Sequence, residues 1–137
     1  MESKAPGQTR NTPNNQNKRQ TGQRAEAIAA AALEQAGYTI LDRNWRCVGG
    51  EIDLVAQHRG EIVIVEVRAR AGGRDGEAID TALESIGKAK RARLIRLAYA
   101  YLEQHHLDDV AFRIDVVAIG LSSSPPTVEI IENAVGW

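Results

Sequence analysis

The stretch Glu51-Ile-Asp-Leu-Val-Ala-Gln-His-Arg-Gly-Glu-Ile-Val-Ile-Val-Glu-Val-Arg68 decides the fold. Its two arms, Glu51 to Gln57 and Glu61 to Arg68, are rich in β-branched residues, which suit a half-buried pleated surface. His58-Arg59-Gly60 between them supplies the turn, so the arms read as an antiparallel hairpin. Two residues break its apolar runs: Asp53 in Ile-Asp-Leu-Val and Glu66 in Ile-Val-Glu-Val. An unpaired buried carboxylate is costly, so each calls for a partner or a purpose.

Working outward, Tyr38 to Trp45 predicts a strand before the hairpin, joined to it by a turn at Gly49-Gly50. Upstream, Ala25, Ile28, Ala29, Ala32, Leu33 and Ala36 recur at helical spacing and predict an amphipathic helix over 22–36. Thr21 stands near its start and Gly37 just past its end. At about 100° per residue, Glu26 falls on the border of the apolar stripe, where it can reach the sheet.

Downstream, Ala-Gly-Gly-Arg-Asp-Gly at 71–76 predicts a loop, followed by a helical stretch from Glu77 to Gln104 that Gly87 can break. Leu83, Leu94, Leu97, Ala98 and Tyr101 form its inward stripe. Phe112 to Ile119 and Thr127 to Ile131 are further strands, separated by a loop at Ser122 to Pro126. The order α-β-β-β-α-β-β predicts an α/β fold, a mixed sheet flanked by helices. The long helix between strands three and four is the natural crossover of a parallel pair.

The 137 residues, 43% of them hydrophobic, suit one domain. Met1 to Arg24 hold almost none of that apolar content, which predicts a disordered polar and basic tail over 1–20 and a single domain over 21–137. The net charge of −1 divides into a basic tail and an acidic body, so only a local basic patch could meet a polyanion. Cys47 has no partner for an internal disulfide, and His58, His105 and His106 lack zinc-ligand spacing. No apolar run approaches the ~18 residues of a membrane span or the pattern of a secretory signal, which points to a cytoplasmic protein with no membrane partner.

Asp53 and Glu66 stand at similar depth from the hairpin turn, which allows neighbouring positions across the two strands. Two such carboxylates repel unless a cation lies between them. Oxygen ligands of this kind suit Mg²⁺ or Mn²⁺, completed by water and phosphate oxygens. Arg68 shares a face with Glu66 by period-2 alternation, making a metal-dependent phosphodiesterase site one reading. The other is a structural ion-pair cluster of Asp53, Glu66, Arg68 and Arg70.

At these residues the sequence resembles the YraN-like family of uncharacterised bacterial proteins, which is grouped with the restriction-endonuclease-like, PD-(D/E)XK nuclease superfamily and is similar to Holliday-junction resolvases. The resemblance spans roughly Thr21 to Trp137. It rests on Gly50-Glu-Ile-Asp-Leu-Val-Ala56, Val65-Glu-Val-Arg-Ala-Arg70 and Phe112-Arg-Ile-Asp-Val-Val117. Gly37-Tyr38, Arg43-Asn44, Ala98 with Tyr101-Leu102, and Glu132-Asn-Ala134 support it.

The resemblance implies that Asp53 and Glu66 bind Mg²⁺ or Mn²⁺ and that Glu26 is the acidic residue of the first helix. Arg68 stands where the superfamily has a lysine. Arginine stays protonated, so it can donate hydrogen bonds and stabilise charge but cannot deprotonate water. The implied partner is nucleic acid, DNA before RNA, and junction-cutting relatives imply a homodimer.

Lys90 falls within the inward stripe of its helix and matches a lysine of YraN-like proteins. It is expected either to reach Asp53 and Glu66 or to run along the stripe to solvent. Arg93 and Arg96 are expected to point away from that stripe. With Lys88 and Arg91 they form the densest basic segment, suited either to phosphate contacts or to a solvated face. Glu51 shares the Asp53 face, as a supporting carboxylate or an exposed strand end. Arg113 and Asp115 share a face and are expected to form a local ion pair. The function expected is endonuclease-like hydrolysis of phosphodiesters. The alternatives are a nucleic-acid-binding module that does not cleave, and a protein-interaction role resting on the acidic body alone.

Overall fold

The computed structural model describes residues 13–70 and 86–135. Helix α1 (Pro13–Gln35) leads into strands β1 (Thr39–Cys47), β2 (Gly50–His58) and β3 (Glu61–Arg70). Helix α2 (Lys88–Gln104), β4 (Phe112–Gly120) and β5 (Thr127–Ile131) follow. The strands form one sheet in the order β1-β2-β3-β4-β5. The β3/β4 pair is parallel, and the other three pairs are antiparallel. The predicted order, hairpin and crossover are therefore the observed ones.

α1 begins at Pro13 rather than at residue 22, so residues 13–20, predicted to belong to a disordered tail, are helical. Proline is pre-organised for the first helical turn, and the Gln, Lys and Arg residues after it are good helix formers. Lys18, Arg19 and Gln20 are exposed, and their polarity does not oppose the helix itself. Residues 1–12 of the predicted tail lie outside the described residues. So do the 71–76 loop and the start of the second helical stretch, with its Leu83.

The helix ends as Gly37 predicts. Tyr38 N–H donates to the Leu33 carbonyl (2.9 Å) and Gly37 N–H to the Glu34 carbonyl (3.1 Å), with Gly37 at φ +97°. This closes the orphan carbonyls through a left-handed residue, which glycine adopts without penalty. At Gly87 the predicted break is the start of α2, where Arg91 N–H donates to the Gly87 carbonyl (2.9 Å).

Each sheet face has its own core. Ala25, Ala29, Ala30 and Leu33 of α1 pack on Leu54, Ala56, Val63 and Val65. Leu94, Leu97, Ala98 and Tyr101 of α2 pack on Val55, Ile62, Ile64 and Ile114. Fully buried side chains such as Leu33 and Leu94 each contribute about 1.5–3 kcal/mol. Alternation along β3 sends Val63 and Val65 to α1, and Ile62 and Ile64 to α2. The same alternation places Glu66 and Arg68 on the α2 side.

The β2/β3 ladder runs from His58↔Glu61 to Leu54↔Val65 and stops there. Beyond it, β2 continues along β1 to the Cys47↔Gly50 pair, and β3 continues along β4 to Arg70↔Gly120. The sheet thus forks immediately before Asp53 and Glu66, leaving their strand segments paired only on their outer sides.

Candidate metal and phosphodiester site

The fork explains how Asp53 is held. Its Oδ2 accepts a hydrogen bond from Val67 N–H (2.9 Å), standing in for a ladder partner on the opposite strand. Burial and the Glu66 charge, followed by Glu26 and Glu51, outweigh that bond and push the Asp53 carboxyl up to about 7.

Glu66 is buried at 7% exposure and is flanked by two cations. Lys90 Nζ lies 3.1 Å and Arg68 Nε 3.2 Å from Glu66 Oε2. Of the two fates predicted for Lys90, the structure shows the one that reaches the site. Arg68 Nε is shielded from solvent and, despite its proximity to Glu66, has no aligned hydrogen-bond acceptor among the described residues. Its guanidinium is therefore close enough for charge attraction while its N–H points elsewhere.

Glu26 reaches the sheet as its border position predicts. Its Oε1 accepts from Asn44 Nδ2 (3.0 Å), tying α1 to β1. A cleft of about 390 Å³ has Glu26 and Lys18 on its α1 wall and Asp53, Arg68 and Arg70 on its sheet wall, and neither Glu66 nor Lys90 is among its lining residues. Glu51 lies outside this lining, 3.6 Å from Arg46 Nε. Of the basic segment, Lys88, Arg91 and Arg96 are exposed, and Arg93 is half-buried. Arg93 does not simply point away: its Nη1 lies against Gly50, 3.8 Å from where a β-carbon would stand. The β1/β2 turn draws it toward the fork end of the sheet.

Among the described residues, no set of three or more His, Cys, Asp and Glu side chains converges as a metal cage. The donors on offer are two carboxylates, the number with which Mg²⁺ or Mn²⁺ commonly binds when water and substrate phosphate complete its sphere. The donor set fits such an ion, because a divalent charge would relieve the repulsion between Asp53 and its acidic neighbours.

Arg113 and Asp115 form the predicted pair, but within a larger network at the end of the sheet where β2 turns into β3. Arg113 Nε donates to Asp115 Oδ1 (3.0 Å), and its Nη1 meets Glu61 Oε1 at 2.7 Å. Tyr38 O–H donates to Asp115 Oδ2 (2.8 Å), and Arg113 Nη2 lies 2.7 Å from His58 Nδ1. The Tyr38 and His58 rings stack at 3.8 Å. Burial and the Asp115 carboxylate push the Tyr38 hydroxyl up to about 12. Burial works against the Arg113 charge, but bonds to Asp115, Glu61 and Tyr38 hold its pKa above the ordinary value. Asp115 is fully buried, its charge answered within this network, so the cluster is structural.

Sequence reasoning missed His58, which it left in a turn, and the Asn44 bond to Glu26. It also assigned no role to Lys18, although a cation two turns before Glu26 on the same helix face was a usable signal.

A family model described as "Uncharacterised protein family UPF0102" matches residues 25–119. A UPF0102 protein of Roseiflexus castenholzii is 49% identical over 117 residues, 83% of this chain and 91% of the relative. One from Chloroflexus aurantiacus is 50% identical over 103 residues, covering 74% and 80%. One from Moorella thermoacetica is 44% identical over 119 residues, covering 85% and 96%. Among the described residues, no helix is long and apolar enough to cross a membrane.

Proposed function

The chain belongs to the uncharacterised protein family UPF0102, and we propose that it hydrolyses nucleic-acid phosphodiesters with a divalent cation held by Asp53 and Glu66. The observation that carries this reading is the Asp53 carboxyl held by Val67 N–H at the sheet fork, in a cleft it shares with Glu26, Arg68 and Arg70. Strongly perturbed carboxylates in a cleft are characteristic of functional sites.

A bound Mg²⁺ or Mn²⁺ would supply Lewis acidity and a water of lowered pKa. Lys90 Nζ, 3.1 Å from Glu66 Oε2, positions that carboxylate. Arg68 offers its guanidinium to the non-bridging phosphate oxygens, where negative charge grows in the transition state. Glu26, fixed by Asn44, orients a water at the α1 wall. Arg70 and Lys18 balance the carboxylates along the same cleft.

A second reading, a nucleic-acid-binding module without cleavage, draws on a specific observation: Glu66 Oε2 is already engaged by Arg68 and Lys90. A cleavage assay with Mg²⁺ or Mn²⁺ on branched, single-stranded and duplex substrates separates the two. Cleavage by the wild-type chain that disappears in Asp53→Asn supports hydrolysis. Binding without cleavage under all these conditions supports the module.

A further inference from the structure

Gly22 lies inside α1, well away from either end. Glycine is the poorest helix former after proline, so its presence there calls for a reason. Backbone conformation does not supply one, because Gly22 is absent from the glycines with positive φ: Gly37, Gly50 and Gly60. Packing among the described residues does not supply one either, since an added β-carbon would meet none of their atoms within 4 Å. Gly22 does line the cleft that reaches Asp53, with Lys18 one turn before it and Glu26 one turn after. Close approach of a ligand to the helix backbone is the remaining use of a glycine.

The cleft composition says what ligand this is. Lys18, Arg68 and Arg70 bring three cations to a space floored by Asp53 and Glu26. A neutral ligand would need no such arrangement, whereas a chain of phosphates passing two carboxylates does. Lys18 and Glu26 are eight residues apart, about 12 Å along the helix axis.

We infer that the sugar-phosphate backbone of a nucleic acid lies against the Lys18–Thr21–Gly22 face of α1, with Lys18 and Arg70 binding phosphates outside the one at Asp53. This rests on the hydrolytic reading for the position of the scissile phosphate, but the seat itself requires only binding. Gly22 leaves the space, and Lys18 and Arg70 supply the charge from facing walls.

Fluorescence anisotropy of a labelled oligonucleotide, single-stranded and as a duplex, tests this with the full chain and metal chelated. Gly22→Leu should weaken binding about tenfold or more, while helix content by circular dichroism and the melting temperature do not fall. Gly22→Ala, which adds one methyl group, should bind within a few-fold of wild type. Lys18→Gln and Arg70→Gln should each lower the slope of log affinity against log salt by about 1. Wild-type binding and salt slope in Gly22→Leu and Lys18→Gln would overturn the seat. If the wild-type chain binds no oligonucleotide even at low salt, the seat and the hydrolytic reading both fail. If it binds with the predicted variant pattern yet never cleaves, the seat stands and hydrolysis fails.

Discussion

Lys90 Nζ lies 3.1 Å from Glu66 Oε2, so a residue of α2 supplies charge to a strand on which it would otherwise have no influence. Glu66 is nearly buried, and its second cation, Arg68, approaches without an aligned hydrogen bond. Lys90→Ala is therefore expected to destabilise the fold by about 1–2 kcal/mol, less than for a fully buried pair because Lys90 keeps some solvent contact. Lys90→Arg should recover most of the loss. Urea unfolding at low salt measures this, and an unchanged midpoint in Lys90→Ala would show that Arg68 alone satisfies Glu66.

Asp53 makes stability depend on pH in a direction that can be worked out. The carboxyl moves from its ordinary 3.8 to about 7 on folding. Between those values the folded chain holds a proton that the unfolded chain has released, so stability falls as pH rises through that window. Asp53→Asn keeps an acceptor for Val67 N–H and removes the charge. The variant should be more stable than wild type at pH 8, by up to a few kcal/mol. The difference should shrink toward pH 4. Unfolding curves at pH 5 and pH 8 check this, and an equal difference at both would contradict a raised Asp53.

The Arg113 network predicts a large effect far from the chemistry. Arg113→Ala leaves Asp115, which has 0% exposure, without its guanidinium and should cost on the order of 3–5 kcal/mol. Tyr38→Phe removes the hydroxyl that donates to Asp115 and accepts from Arg113 Nη2, and should cost about 1–2 kcal/mol. Oligonucleotide affinity of the folded Tyr38→Phe chain should stay at the wild-type level. A selective loss of binding there would reassign the network to the substrate.

Much of this was legible in the sequence. Asp53 and Glu66 declare themselves by interrupting apolar strands, Glu26 by its place on the stripe border, and Lys90 by lying within one. These signals are periodicities, which survive without coordinates. The fork is not periodic: β2 and β3 keep strand character past Leu54 and Val65, and only the pairing shows that they part there. His58 was illegible because its stacking on Tyr38 and contact with Arg113 join three strands or strand ends far apart in sequence. The early start of α1 was missed because a polar composition was read as disorder, although polarity opposes burial and not helix formation.

Arg68 provides a chemical test. Lysine in its place would be a smaller cation able to lose a proton, and the buried Nε without an aligned acceptor would be gone. Arg68→Lys is expected to raise the cleavage rate in Mg²⁺ or Mn²⁺ relative to wild type, measured at substrate saturation. A loss of more than tenfold would show that the planar guanidinium itself is required at the phosphate.

The central claim is that Asp53 and Glu66 hold a divalent cation at the sheet fork. Anomalous diffraction from a crystal soaked in Mn²⁺ at pH 8 tests it most directly. The account predicts an anomalous peak bonded to carboxylate oxygens of both Asp53 and Glu66, absent in Asp53→Asn. Full Mn²⁺ occupancy elsewhere with Glu66 still closed on Lys90 and Arg68, and no density at Asp53, would contradict it.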